Sequence, residues 1–192
     1  VDEESYRVQR ALWQKGLPVP EPVAMLPELR MWVQRKVAGK PAGEWLLHGD
    51  VALTRRIGEA IRQVHTAGVP AKKRHTMADE LRILHERLAA VAKLQPHLAE
   101  RLERVLAAAD RLGASVAEPE LAGIHRDFYH DHVIVDGDRL WLVDFDLYCA
   151  GDPALDDGNF LAHLTELALR ESTEVLPEVK RAIGDSPAVQ AY

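Results

Sequence analysis

Apolar residues recur along this chain with two periods, and the switches between them mark its elements. Over residues 3–15, EESYRVQRALWQK, the residues Tyr6, Val8, Leu12 and Trp13 give a helix an apolar side, and Gly16 stands where a C-cap belongs. The next stretch, LPVPEP, is a stiff extended link, because its three prolines lack donors and resist helix. Two short strands are predicted around Val23–Leu26 and Met31–Val37, with a Pro-Glu turn between them, and Gly39-Lys40-Pro41-Ala42-Gly43 breaks the chain again. The period then becomes helical: Leu53, Ile57, Ala60, Ile61 and Val64 share one face of a helix ending near Ala67-Gly68. Helices over 77–94 and 97–112 flank Pro96 and carry Leu81, Leu84, Leu88, Val91 and Leu98, Leu102, Val105, Leu106, which read as core-forming stripes. His85 and His97 fall on those helices as surface residues. Val133-Ile134-Val135 and Leu140-Trp141-Leu142-Val143 around Asp136-Gly137-Asp138 have the form of a hairpin. After Asp152-Pro153 a last helix is predicted, with Leu155, Phe160, Leu161, Leu164 and Leu167 apolar. The tail beyond Glu171 is helix-compatible to about Ile183.

Composition adds limits to this outline. At 192 residues, with 47% hydrophobic and 28% charged, the chain can bury a sizeable core as one large domain or two small ones. It contains no apolar run near the roughly 18 residues that a membrane span needs and no signal-peptide pattern at its start, so no membrane partner is expected. Cys149 is the sole cysteine, expected to be a small buried apolar residue, which excludes an internal disulfide and suits a cytoplasmic setting. A net charge of -6 argues against nucleic acid as a partner. Its distribution is more telling: residues 125–157 hold nine Asp against Arg126 and Arg139, while the rest of the chain is nearly neutral. Such a segment suits a cation, either Mg²⁺ or a positively charged substrate.

The hairpin gives that charge a geometry. It returns the chain antiparallel, so Asp127 and His132 on the entry side come near Asp144 on the exit side. Asp144 and His132 can then ligate a divalent cation and leave Asp127 as a general base. Asp136 and Asp138 flank Gly137 at the tip and are read as turn residues.

The run GIHRDFYHDHVIVDGDRLWLVDFDLYCAGDPALDDGNFLAHL, residues 123–164, resembles the second half of the aminoglycoside phosphotransferase and choline kinase family. The shared features are His-x-Asp, a hairpin, Asp-Phe, and a downstream Gly-Asp-Pro with an Asp shortly after. Upstream, EESYRVQRALWQKGLPVP resembles the family's regulatory helix and link, QRKVAG its hinge, and Leu53 to His65 its long C-lobe helix. The resemblance implies an α/β (α+β) protein-kinase-like fold. Residues 1–37 would be a remnant of the N-lobe and hinge, and 38–192 a mostly helical C-lobe with the catalytic and metal-binding segment at 123–158.

The resemblance also implies ATP-dependent phosphorylation of a hydroxyl on a small molecule, amine-bearing if the acidic segment serves the substrate. Asp127 would take the hydroxyl proton and Asp144 would hold Mg²⁺ against the phosphates. Backbone groups of Arg35 and Val37 would meet the adenine, and Glu4 would pair with a nucleotide-contacting lysine. His125 would pack the loop, and Asp156 or Asp157, with Asp156 the closer match, would brace it. Two departures stand out. His132 occupies the place of a metal-binding Asn, and imidazole suits Mn²⁺ better than Mg²⁺. No Gly-rich loop and no strand with a phosphate-pairing lysine precedes the hinge, so a truncated N-lobe is expected. That truncation motivates one rival, an inactive pseudokinase or interaction domain. The crowding of His125, Asp127, His130, Asp131 and His132 motivates another, a metal-dependent phosphohydrolase.

Overall fold

The computed structural model describes residues 3–171. The expected helix-compatible segment near Ile183 lies outside them. Helix α1, Glu3–Gln14, buries Ser5, Val8, Gln9 and Leu12. Trp13 is 43% exposed and so does not belong to the apolar side assigned to it; Tyr6 instead meets Trp32 edge-on at 5.9 Å. The helix stops at Gly16, which has φ +78°, and its last carbonyls are taken by two backbone bonds, Gly16 to Trp13 at 2.9 Å and Leu17 to Leu12 at 3.2 Å.

The proline-rich link after α1 is held on both sides. Gln9 donates to the Pro20 carbonyl at 2.8 Å, and the Leu142 N–H reaches the Pro18 carbonyl at 2.7 Å. Strands β1, Pro22–Leu26, and β2, Met31–Gln34, form an antiparallel pair joined by a 3₁₀ turn over Pro27–Leu29. The second strand ends three residues before the expected Val37. Extending it would require donors from the link, where Pro18 and Pro20 have no N–H.

The predicted break at 39–43 holds more structure than expected. Lys40–Pro41 is a short strand, β3, that pairs Lys40 with Val135 and Pro41 with Ile134. Gly39 permits this approach, because at φ +115° it brings its backbone so close to the Val135 carbonyl that a Cβ would collide with it. Helix α2, Gly43–Leu47, follows at once.

Helix α3, Val51–Thr66, buries Leu53, Ile57, Ala60, Ile61 and Val64, the five residues its periodicity selects, and Asp50 caps its start by accepting from Leu53 N–H at 2.9 Å. Helices α4, Met77–Leu94, and α5, Ala99–Ser115, form as expected but contain no buried residue. Their stripes were read as core, and the structure corrects this. The two helices pack mainly on each other, so each apolar face is covered from one side only.

Strands β4, Ala122–Ile124, and β7, Cys149–Gly151, pair antiparallel, while β5, Val133–Asp136, and β6, Arg139–Leu142, make the expected hairpin with β3 as its third strand. Helix α6, Pro153–Glu171, closes the described chain and buries Asp156, Phe160 and Leu167, while Leu161 is 64% exposed. Among the described residues the architecture is therefore mixed α+β, with helices and three small antiparallel sheets. A single apolar cluster runs from Val8, Leu12 and Val19 through α3 to Phe128, Val133, Leu142, Phe145 and Phe160. It crosses residue 37, so α1 and its link are packed into the helical body. No helix among the described residues is long and apolar enough to cross a membrane.

Charge also fastens α1. The Glu4 carboxylate pairs with Arg7 and with Lys72 Nζ at 3.0 Å, and Arg7 in turn reaches the Pro70 carbonyl at 2.5 Å. The Arg7 hydrogen bond, joined by Lys72, lowers the Glu4 pKa from 4.5 to about 2 against the opposing effect of burial. A carboxyl held below its unfolded value stabilises the fold above that value and loses its contribution as pH falls toward the folded one. Glu4→Gln should therefore lower unfolding free energy by about 1 kcal/mol at pH 7. Urea titrations should show the gap from wild type narrowing as pH drops below 4.5. A gap that is constant with pH would mean that the pair contributes nothing.

Candidate active site

β4 ends at Ile124, paired with Cys149, and hands the chain to His125 in a fully buried position. A carbonyl can only accept, so the 2.9 Å contact from His125 Nε2 to the Val143 carbonyl places the ring proton on Nε2. Burial holds the His125 pKa below 6.5, which keeps the ring neutral. The ring lies 4.6 Å from Phe145, 5.7 Å from His132 and 5.9 Å from Phe128. Its Nδ1 has no hydrogen-bond partner among the described residues.

The next residue, Arg126, has φ +71°, a left-handed conformation that costs a non-glycine residue about 1–2 kcal/mol. Asp156 offsets that cost. From the first turn of α6 its fully buried carboxylate accepts from His125 N–H at 2.8 Å and Arg126 N–H at 2.7 Å. It also meets His65 Nε2, on α3, at 2.8 Å. Of the two aspartates at the head of α6, Asp156 makes these bonds and Asp157 is exposed. One turn along α6, Asn159 donates to the Phe128 carbonyl at 3.2 Å. Sequence reading singled out neither His65 nor Asn159. Asn159 could have been found, since it lies three residues after Asp156 and so shares its helix face; His65 carried no local signal.

Held in this way, the loop presents Asp127, while the end of the hairpin presents Asp144 at φ +68°. Their side chains are 42% and 49% exposed, and between them His132 is 13% exposed. His132 Nδ1–H donates to the Asp127 backbone carbonyl at 2.7 Å and lies 3.7 Å from its carboxylate. Nε2 faces Asp144 Oδ2 at 3.5 Å; with Nδ1 donating, Nε2 is the nitrogen that an uncharged ring would offer to a metal. Val143 N–H bonds the His132 carbonyl at 3.0 Å and closes the base of the hairpin. Tyr129, which was not anticipated, sets its ring edge against His132 at 4.4 Å and lies 4.6 Å from His163. Burial, together with the Asp131, Asp127 and Asp144 carboxylates, raises the pKa of its phenol.

Other expected residues lie apart from this group. His130 is buried, meets Asp131 at 3.0 Å, and packs where a Cβ on Gly43 would touch its ring. The crowded histidines and aspartates of the sequence are thus not one ligand cluster. Among the described residues, no group of three or more His, Cys, Asp or Glu could hold a metal. An ion at His132 and Asp144 would draw its other ligands from phosphate and water, and the mixed nitrogen and oxygen pair suits Mn²⁺ better than Mg²⁺. Arg35 gives its N–H to the Glu21 carbonyl at 2.8 Å, just past the end of β2, and Val37 lies two residues on. Glu4, expected beside a nucleotide-contacting lysine, meets Arg7 and Lys72. Cys149 is buried as expected, and burial pushes its thiol pKa up to about 11.

A family model described as the phosphotransferase enzyme family matches residues 3–190. The chain belongs to that family. No curated protein matches the sequence. Among solved structures, a choline/ethanolamine kinase family protein from Mesorhizobium loti is 23% identical, with a TM-score of 0.65 over 88% of this chain and 59% of its own. The aminoglycoside phosphotransferase APH(4)-Ia, as a thermostable mutant in a ternary complex with ADP and hygromycin B, is 13% identical, with a TM-score of 0.67 over 98% of this chain and 71% of its own. A glucosamine kinase in complex with glucosamine, ADP and inorganic phosphate is 21% identical, with a TM-score of 0.54 over 93% of this chain and 52% of its own. At these identities the likeness shows the fold, and the fold of this chain is kinase-like. The chain spans about three fifths of the length of the Mesorhizobium protein.

The bond set of Asp156 makes it the support for this loop. An Asp156→Asn amide has one acceptor oxygen for the three donors and places an N–H against one of them. Unfolding in urea should show a loss of about 2 kcal/mol. Amide exchange at His125 and Arg126 should accelerate more than exchange in α3. Unchanged protection at those two amides would remove Asp156 from the supporting role.

Proposed function

We propose that this phosphotransferase uses ATP to phosphorylate a hydroxyl group on a small molecule. The observation that carries the reading is the pair of half-exposed carboxylates, Asp127 and Asp144, on either side of a His132 whose tautomer is fixed by the Asp127 backbone. In this reading Asp127 accepts or orients the proton of the acceptor hydroxyl. Asp144 Oδ2 and His132 Nε2 hold a divalent cation, Mg²⁺ or Mn²⁺, which supplies neutralisation of the phosphate charge when bound. The nitrogen donor favours Mn²⁺ relative to an all-oxygen site. The Arg35 carbonyl and the Val37 N–H meet the adenine edge. His125 and Asp156 act through the backbone, holding Asp127 in place.

Support for the nucleotide comes from the neighbours, since both APH(4)-Ia and the glucosamine kinase are described with ADP. The same structures contain hygromycin B and glucosamine, and the excess of Asp over Arg in 125–157 suits acceptors of that amine-bearing kind. A phosphohydrolase finds no comparable support, because its metal cluster is not assembled among the described residues. The lobe boundary near Val37 belongs to this proposal.

The reading is tested by following ATP conversion with choline, glucosamine and hygromycin B as acceptors. Asp127→Asn should reduce acceptor-dependent turnover by a factor of about 10² or more, while the calorimetric affinity for MgATP changes little. Turnover near the wild-type value would end the assignment of Asp127.

His132→Asn provides an independent check. Its amide oxygen is a hard donor in place of imidazole, so the ratio of ATP affinity in Mn²⁺ to that in Mg²⁺ should fall several-fold from wild type. Equal ratios in the two proteins would remove His132 from the metal site and leave Asp144 alone there.

A further inference from the structure

One cavity of about 660 Å³ is lined neither by the 125–132 loop nor by Asp144, and of the residues that hold that loop only Asn159 reaches its wall. Its walls come from the first turn of α4, the segment that leaves α5, and one face of α6. Met77, Val116 and Leu121, which are 43%, 48% and 36% exposed, all stand around this one concavity. Exposed apolar side chains gathered in a concave surface mark a binding site more than the same residues scattered would. Gly158, in the second turn of α6, contributes to the same wall. A glycine inside a helix costs about 1 kcal/mol relative to alanine. No atom lies within 4 Å of the position its Cβ would take, so no neighbour demands it. What the missing side chain leaves is open space.

The polar groups of the cavity carry an excess of negative charge. Its lining holds the carboxylates Glu80, Glu118 and Asp152 with Arg74 and His75. Arg74 meets Glu118 at 3.5 Å. Glu80 is oriented by His75, whose buried ring reaches it at 2.5 Å and whose N–H is fixed on the Ala150 carbonyl at 2.9 Å. Apolar walls with surplus carboxylate suit a ligand with a hydrocarbon body and a cationic head.

We propose that this cavity is a second ligand site, distinct from the Asp127–Asp144 pair, that takes a small amphiphilic amine. The body lies against Met77, Val116 and Leu155, and the ammonium group is received at Glu80. The site rests on its own geometry and does not depend on the phosphoryl-transfer reading.

The test titrates the whole chain with n-hexylamine and n-hexanol, followed by calorimetry and by amide chemical shifts. Hexylamine should bind wild type with a Kd of about 1 mM, and hexanol at least fivefold more weakly. Gly158→Leu fills the space with a better helix former, so the variant stays folded by circular dichroism while hexylamine binding is lost. Glu80→Gln should keep binding of the alcohol and abolish the preference for the amine. Saturating MgATP should leave the hexylamine affinity of wild type unchanged. Absence of hexylamine binding, equal binding of the alcohol, binding that survives Gly158→Leu, or competition with MgATP would each overturn the proposal.

Discussion

Three hydrogen bonds to one buried carboxylate hold the loop on which Asp127 is carried. Asp156 takes the N–H groups of His125 and Arg126 and the imidazole of His65, and these tie α6, α3 and the loop at a single point. A carboxylate removed from water loses hydration that only ionic or hydrogen-bonding partners replace. Here the partners are backbone donors that a left-handed residue would otherwise leave buried and unsatisfied. The strain at Arg126 and the burial of Asp156 are each unfavourable alone, and each is stabilised by the other. Since Asp127 follows Arg126 directly, its position derives from that mutual arrangement.

Histidine networks continue the ordering outward. His125 is neutral and packed between Phe145, Phe128 and His132, and it spends its proton on Val143, one residue before Asp144. His132 spends its Nδ1 proton on the Asp127 backbone and thereby turns the other nitrogen toward Asp144. The backbones carrying Asp127 and Asp144 are therefore tied by imidazole-to-carbonyl bonds. The exposed carboxylates contribute little to that rigidity, which leaves them available to solvent and ligand.

Much of the secondary structure was legible because it is set locally. The five buried residues of α3, the Gly16 stop and the β5–β6 hairpin follow from period and turn chemistry. The errors share one cause. The stripes of α4 and α5 were amphipathic enough to be helices, but periodicity states which side is apolar and not how much of the molecule covers it. In the same way Lys40–Pro41 has no strand signal of its own, since its pairing is supplied by β5, some ninety residues later.

The sequence by itself determined the family resemblance, the order of helices and hairpin, and the gathering of Asp127, His132 and Asp144. A hairpin is closed by neighbours in the chain, so its ends can be located from the chain alone. Only the tertiary structure decided that Asp156 takes both loop N–H groups and meets His65 as well, that His130 is buried apart, and that His132 Nδ1 is spent on the Asp127 backbone. Each of these depends on which buried donor meets which acceptor across distant elements. Hydrogen bonding is directional and short-ranged, and its partners are chosen by packing that no local pattern encodes.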